Sequence, residues 1–182
     1  MKNILMVVGS LREKSFNRML ADEIKEMIKD KAEVNFLEYA DLPFLSQDHF
    51  LPVPERVADV RQKVLQADGL WILSPEFNYA IPGVLKNLLD WLSCPADPSD
   101  RKSSSVLKSK KVSISSVAGR SAGLGVRKQL AELLEIMSMK LIGGIGSGVV
   151  LDGQAFSSGI LSLSELDREI VKKQAEEFLA AI

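Results

Sequence analysis

Apolar residues recur along this chain in two patterns that take turns. Ile4–Val8 is a short unbroken apolar run, as a strand buried on both faces requires. Met19, Leu20, Ile24, Met27 and Ile28 then recur at helical spacing and predict a helix from about Ser15 to Asp30. Val34–Tyr39 carries more polar residues, as an edge strand would. After a loop through Pro43, His49 and Pro52, Pro54 suits the first position of a helix whose Val57, Val60, Val64 and Ala67 share a face. Gly69–Ser74 predicts a third strand, and Pro82–Leu92 a helix with Leu85, Leu88, Leu89 and Leu92 turned inward. From Cys94 to Lys111, two prolines and a serine-rich stretch read as an exposed loop. Lys111–Val117 and Leu124–Met137 form a fourth strand–helix pair. A fifth strand begins near Lys140, a glycine-rich stretch runs to Gly153, and a last helix spans about Ser164–Ala181, with Ser164 and Asp167 as its N-terminal signature.

Strands and helices in alternation predict a parallel sheet covered on both faces. Five strands without a sixth predict a flavodoxin-like three-layer α/β/α sandwich with strand order 2-1-3-4-5. In that order the first and third strands are neighbours at the point where the winding reverses, and their following loops border one crevice. The loops at Ser10–Asn17, Pro75–Tyr79 and Val117–Gly125 are therefore expected to share a site.

Composition narrows the class. A chain of 182 residues, 46% hydrophobic and 26% charged, is typical of one soluble globular domain, expected here over residues 1–182. A formal net charge of −1 argues against a nucleic-acid partner held by a basic surface. No apolar run has the length of a membrane span, and Met1-Lys2-Asn3 leads into a strand rather than a signal segment, so the expected location is the cytoplasm. The single cysteine, Cys94, excludes an intramolecular disulfide and a cysteine-rich metal site. With one histidine, His49, a conventional catalytic triad is not expected.

The candidate chemistry lies in the loops. Gly9-Ser10-Leu11-Arg12-Glu13-Lys14-Ser15-Phe16-Asn17 leaves the first strand and opens the first helix. Free N–H groups and the positive helix end favour an anion there. Ser10, Ser15 and Asn17 are neutral donors, and Arg12 a planar charged one. The loop has neither the Lys-Ser/Thr end of the NTPase phosphate loop nor the G-x-G-x-x-G spacing of dinucleotide folds, and it suits one terminal monophosphate. The same residues also fit a plainer role, with Ser15 as helix cap and Arg12 as a solvated surface residue. Pro75-Glu76-Phe77-Asn78-Tyr79 can pack a flat ring and bond its rim, or simply be a proline-fixed turn with Phe77 in the core. Ser115-Ser116-Val117-Ala118-Gly119 leads into a small, glycine-rich loop that admits close backbone approach to a planar ligand, or is a flexible connection. Gly143–Gly148 is assigned to the fifth strand, with no helix directly after it to complete a dinucleotide site.

Together these segments resemble the NADPH-dependent FMN reductase family, which includes chromate, quinone and azo-dye reductases. The resemblance runs from Lys2 to about Leu134 and is strongest at Gly9–Asn17 and at Ser74–Asn78 with Ile81–Asn87 and Asp90-Trp91. It implies that Ser10, Arg12, Ser15 and Asn17 hold the phosphate of FMN, with Leu11 and Phe16 in the same binding segment. It implies that Pro75, Glu76, Phe77 and Asn78 border the isoalloxazine and ribityl groups, flanked by Ser115, Ser116 and the backbone of Ala118 and Gly119. Phe77 stands where the family often has tyrosine. The implied activity is ping-pong hydride transfer from NADPH or NADH through bound FMN to a small acceptor: a quinone, azo compound, chromate or free flavin. Arg120, Arg101 and Lys102 are candidate contacts for a 2′-phosphate, and a homodimer or homotetramer is implied. The rival expectation is a flavin-binding electron carrier or redox sensor without NAD(P)H turnover.

Overall fold

The computed structural model describes residues 1–97, 99, 100 and 102–182, and the His49 side chain lies outside that description. Strand β1 (Lys2–Val8) leads to helix α1 (Phe16–Ile28), then β2 (Ala32–Phe36), a 3-10 turn (Gln47–His49), α2 (Glu55–Gln66), β3 (Gly69–Leu73) and α3 (Gly83–Ser93). The chain continues through β4 (Lys111–Ala118), α4 (Leu124–Ile136), β5 (Lys140–Leu141), β6 (Ser147–Val150), α5 (Gly153–Ser158) and α6 (Glu165–Ala181). The sheet is parallel with order β2-β1-β3-β4-β5, and β6 also pairs with β4. This is the expected 2-1-3-4-5 winding, with one difference at its far edge.

There the anticipated fifth strand is two short ones. β5 pairs with the start of β4 and β6 with its end, and the glycine run between them is a turn rather than a strand. Gly143, Gly144 and Gly146 all have positive φ, and a Cβ on Gly146 would lie 1.7 Å from the Ile114 carbonyl oxygen. Only a residue without a side chain can pass β4 that closely in that conformation.

Side chains alternate along the strands and divide the core in two. Leu5, Val7, Leu70, Ile72, Val112 and Ile114 face α2, α3 and α4. Ile4, Met6, Trp71, Leu73 and Val117 face α1 and α6 on the other side. Helices α1, α2 and α3 bury the stripes their periodicity predicts, such as Leu20, Ile24 and Ile28 of α1. Helix ends shift by small amounts: Pro54 and Pro82 stand at the caps of α2 and α3 rather than inside them. The Ser164–Asp167 signature forms a reciprocal capping box on α6. Within the serine-rich connection expected to be exposed, Val106 and Leu107 are buried in the α3/α4 core.

The register fixes the edge that matters. Val8 lies opposite Leu73, and Leu73 opposite Ser115, so β1, β3 and β4 bring their C-terminal ends to the same side of the sheet. With neighbouring strands about 4.8 Å apart, the three following loops start within one small molecule's reach.

Candidate functional site

The loop after β1 leaves the sheet through a narrow gap. Gly9 N–H donates to the Leu73 carbonyl at 2.8 Å, and a Cβ on Gly9 would meet Leu85 at 3.0 Å and Ser74 Oγ at 3.1 Å. Ser15 caps α1, its hydroxyl accepting from Arg18 N–H at 3.4 Å. Ser10 Oγ accepts from Arg12 N–H at 3.4 Å, and the Arg12 guanidinium lies 5.3 Å from the Phe16 ring centroid. Among the described residues Arg12 makes no ion pair. Its charge faces the first turn of α1, whose leading N–H groups have no intrahelical acceptor.

Asn17 departs from the expected donor role. Its side-chain N–H donates to the Val117 carbonyl at 3.0 Å, and its amide oxygen accepts from Val117 N–H at 2.9 Å. Buried and doubly engaged, it clamps α1 to the end of β4 instead of offering its side chain to a ligand.

The second loop is a tight reverse turn. Phe77 and Ala80 exchange backbone hydrogen bonds at 3.2 and 3.0 Å, and Asn78 and Tyr79 between them have φ of 52° and 62°. Two positive φ values identify a primed turn, which suits Asn78 but costs about 1–3 kcal/mol at a residue such as Tyr79. The turn holds Phe77 and Tyr79 in solvent, so Phe77 is not a core residue.

Glu76 secures that turn to the third loop. One carboxylate oxygen accepts from Ser121 Oγ at 2.9 Å and the other from Val126 N–H at 2.8 Å, in the first turn of α4. A Cβ on Gly125 would sit 2.7 Å from that second oxygen, which explains a glycine there. Gln129 adds a bond to the Tyr79 carbonyl at 2.7 Å. Behind the loop, Arg127 donates to Ala122 O at 3.2 Å and Gly146 O at 2.8 Å. Burial lowers the pKa of Arg127, and the nearby Glu76 charge opposes that shift.

These elements enclose a cleft of ≈ 280 Å³ at the C-terminal edge of the sheet. Of the anticipated residues, Ser10, Arg12, Ser15, Phe16, Asn17, Pro75, Glu76, Phe77, Ala118 and Gly119 border it. Leu11 faces a neighbouring cavity between this loop and β2, with Ser10 and Arg12 on the wall between the two. Asn78 sits at the exposed tip of its turn, outside the cleft lining.

Ser115 and Ser116 also fall outside it. Both are fully buried in β4, where Ser115 Oγ bonds Trp71, Ser147 and Gln174, and Ser116 Oγ donates to the Ser74 carbonyl at 2.6 Å. The resemblance implied that they flank the ring, but β4 stays paired through Ala118 and keeps them inside. Sequence reasoning missed Leu151 and Phe156 in the lining, and placed Val117 in the third loop without naming it as a contact. For Phe156, an aromatic between two glycines past the fifth strand was the available signal.

Conventional catalytic groups are sparse. Cys94 is half-buried, lies 3.2 Å from the Asp90 carbonyl, and burial pushes its thiol pKa up, so it is no activated nucleophile. Among the described residues no cluster of histidine, cysteine and carboxylate has the makings of a metal site. Arg120 and Lys102 are exposed, and Arg101 lies outside the described residues.

The family model for NADPH-dependent FMN reductases matches residues 2–152. A 2-hydroxy-1,4-benzoquinone reductase of a Burkholderia species is 44% identical over 92 residues, 50% of each chain. A quinone reductase of Pseudomonas putida is 31% identical over 152 residues, 80% of each. The chain thus spans about half the length of several curated relatives it matches, and more of others. Among solved structures, the flavoenzyme NAD(P)H:(acceptor) oxidoreductase FerB of Paracoccus denitrificans superposes with a TM-score of 0.85 at 20% identity, covering 99% of this chain and 96% of that one. A flavodoxin from the domain Archaea superposes at 0.60 with 13% identity, covering 100% and 98%. At such identities these two likenesses establish the fold.

Proposed function

The chain belongs to the NADPH-dependent FMN reductase family, and from that premise we propose that it is an NAD(P)H-dependent oxidoreductase that binds FMN in the cleft and reduces small acceptors of the quinone type. The observation that carries this reading is Arg12, a cation without an ion pair among the described residues, set beside Ser10, the Ser15 cap and the first turn of α1.

The donor set fits the cofactor. A terminal phosphate needs N–H and O–H donors with positive charge, and this loop supplies them. The one carboxylate among the described lining residues, Glu76, has both oxygens engaged by Ser121 and Val126. Pro75, Phe77, Val117, Ala118 and Leu151 give flat apolar walls for a ring, and a Cβ added to Gly119 would meet nothing within 4 Å. Bound FMN would supply the two-electron chemistry, accepting hydride from the nicotinamide and passing electrons to the acceptor. The chain's own part is to bind and orient: Arg12 and the α1 terminus anchor the phosphate end, while the 77–80 turn and the 118–119 backbone set the ring's position. Among the described residues the lining offers no histidine, cysteine or free carboxylate.

The reading extends to one domain over residues 1–182, a cytoplasmic location, and a homodimer or homotetramer for which the exposed Phe77 and Tyr79 rings are suitable contact groups. Quinone-type acceptors are favoured over azo compounds, chromate and free flavin by the names of the relatives. The test is NADPH oxidation by FMN-loaded protein with benzoquinone present. Sustained oxidation of many equivalents is expected. A single stoichiometric reduction that then stops would make the protein an electron carrier instead.

A further inference from the structure

Helix α5 closes the cleft on the side away from β2, yet it is the most weakly anchored element at the site. It is six residues long, capped by Asp152 at its start and by Gly159 with φ of 70° at its end. Of its residues only Ala155 is buried. Its first residue, Gly153, and its C-terminal cap, Gly159, both stand in open space: a Cβ on either would meet nothing within 4 Å. A short element with one buried side chain and two open glycine joints lies at the low end of local stability.

Phe156 on this helix lines the cleft while 63% exposed, as Phe77 does from the opposite loop at 56%. Its ring meets Phe16 edge-on, with centroids 6.1 Å apart and planes at 77°. Phe16 is the first residue of α1 and is also the ring beside the Arg12 guanidinium. Phe156 therefore shares with Arg12 a contact to the Phe16 ring, at the α1 end of the cleft.

We propose that Phe156 is a latch over the phosphate end of the cofactor cleft, holding FMN by shielding the Arg12–phosphate contact from water. The proposal rests on the flavin reading above. Excluding water lowers the local dielectric and strengthens a charge-assisted contact, so the latch acts most on a phosphorylated ligand. Opening of α5 at its two glycines is the route by which the cofactor leaves.

The test compares the parent chain with Phe156→Ala and Phe156→Tyr. FMN release is followed by recovery of flavin fluorescence after dilution, and riboflavin affinity by equilibrium quenching. Loss of an aromatic contact and its shielding should speed FMN release about tenfold in Phe156→Ala. Riboflavin affinity should change by less than about twofold, because that ligand has no phosphate to shield. Phe156→Tyr, which keeps the ring, should retain the parent rate. The thermal unfolding curves of the unliganded proteins should coincide, since the side chain is largely in solvent. An unchanged FMN release rate in Phe156→Ala, with a parent that binds FMN, overturns the latch alone. Equal losses for FMN and riboflavin overturn it as well. A parent that does not bind FMN overturns the latch together with the flavin reading.

Discussion

The loops after β1 and β4 reach the same cleft in opposite states. Between Ala118 and Val126 the third loop is tied down from three sides: Glu76 bonds Ser121 and Val126 N–H, Arg127 bonds Ala122 and Gly146 carbonyls, and Gly123 presses so close that a Cβ would lie 1.9 Å from Ser116 Oγ. The first loop is held at its two ends, by Gly9 N–H on the Leu73 carbonyl and by Asn17 on Val117, and between them Arg12 is left with an aromatic neighbour and no carboxylate among the described residues. Polar groups that satisfy one another build a wall, while polar groups left unsatisfied at a surface are available to a ligand. The cleft joins the two kinds.

That contrast is broken most severely at the wall. Gly146→Ala sets a methyl group against the Ile114 carbonyl at a positive φ and should cost about 4 kcal/mol or more, read by denaturant unfolding. Arg127→Met keeps the bulk but strips the Ala122 and Gly146 carbonyls of their donor. Loss of those buried, charge-assisted bonds should cost about 3 kcal/mol in the same assay. Equal stability to the parent would show that the wall does not depend on this arginine.

The first loop should respond in the other way. Arg12→Ala should leave the unfolding curve of the unliganded chain in place and weaken FMN binding about 10- to 150-fold, the equivalent of roughly 1.5–3 kcal/mol. Unaltered affinity removes Arg12 from the site.

The smallest effect lies outside both loops. Arg56 Nε lies 2.8 Å from both oxygens of Asp41, and this hydrogen bond holds the carboxyl below its ordinary pKa. A depressed folded-state pKa gives stability that is present above the unfolded value and lost as pH falls through the folded one. Asp41→Asn should slightly flatten the acid limb of the melting-temperature profile and leave the neutral region and flavin binding alone, the shift being small because the carboxylate is exposed.

What the sequence made legible follows the same division. The strand order, the helix stripes, the α6 capping box and the gathering of the three loops all come from local periodicity and from the rule that adjacent parallel strands share an edge. Misreadings arose where a side chain's partner is far away in the chain. Asn17 looks like a free donor until Val117, a hundred positions on, is seen to bond both ends of its amide. Ser115 and Ser116 look like ligand contacts until Gln174, Trp71 and Ser74 account for their hydroxyls. The split of the fifth strand turns on a backbone contact at Gly146 that no pattern of apolar residues encodes. Helix α5 is too short to show a period, and its one informative residue is an exposed phenylalanine.

Recognition of a terminal phosphate by the loop after β1 is the claim that everything else depends on. It is tested most directly by titrating the unliganded protein with FMN and with riboflavin and following flavin fluorescence. FMN should bind about 100-fold more tightly, the worth of a charge-assisted anchor that riboflavin cannot make. Equal affinities for the two flavins would contradict it.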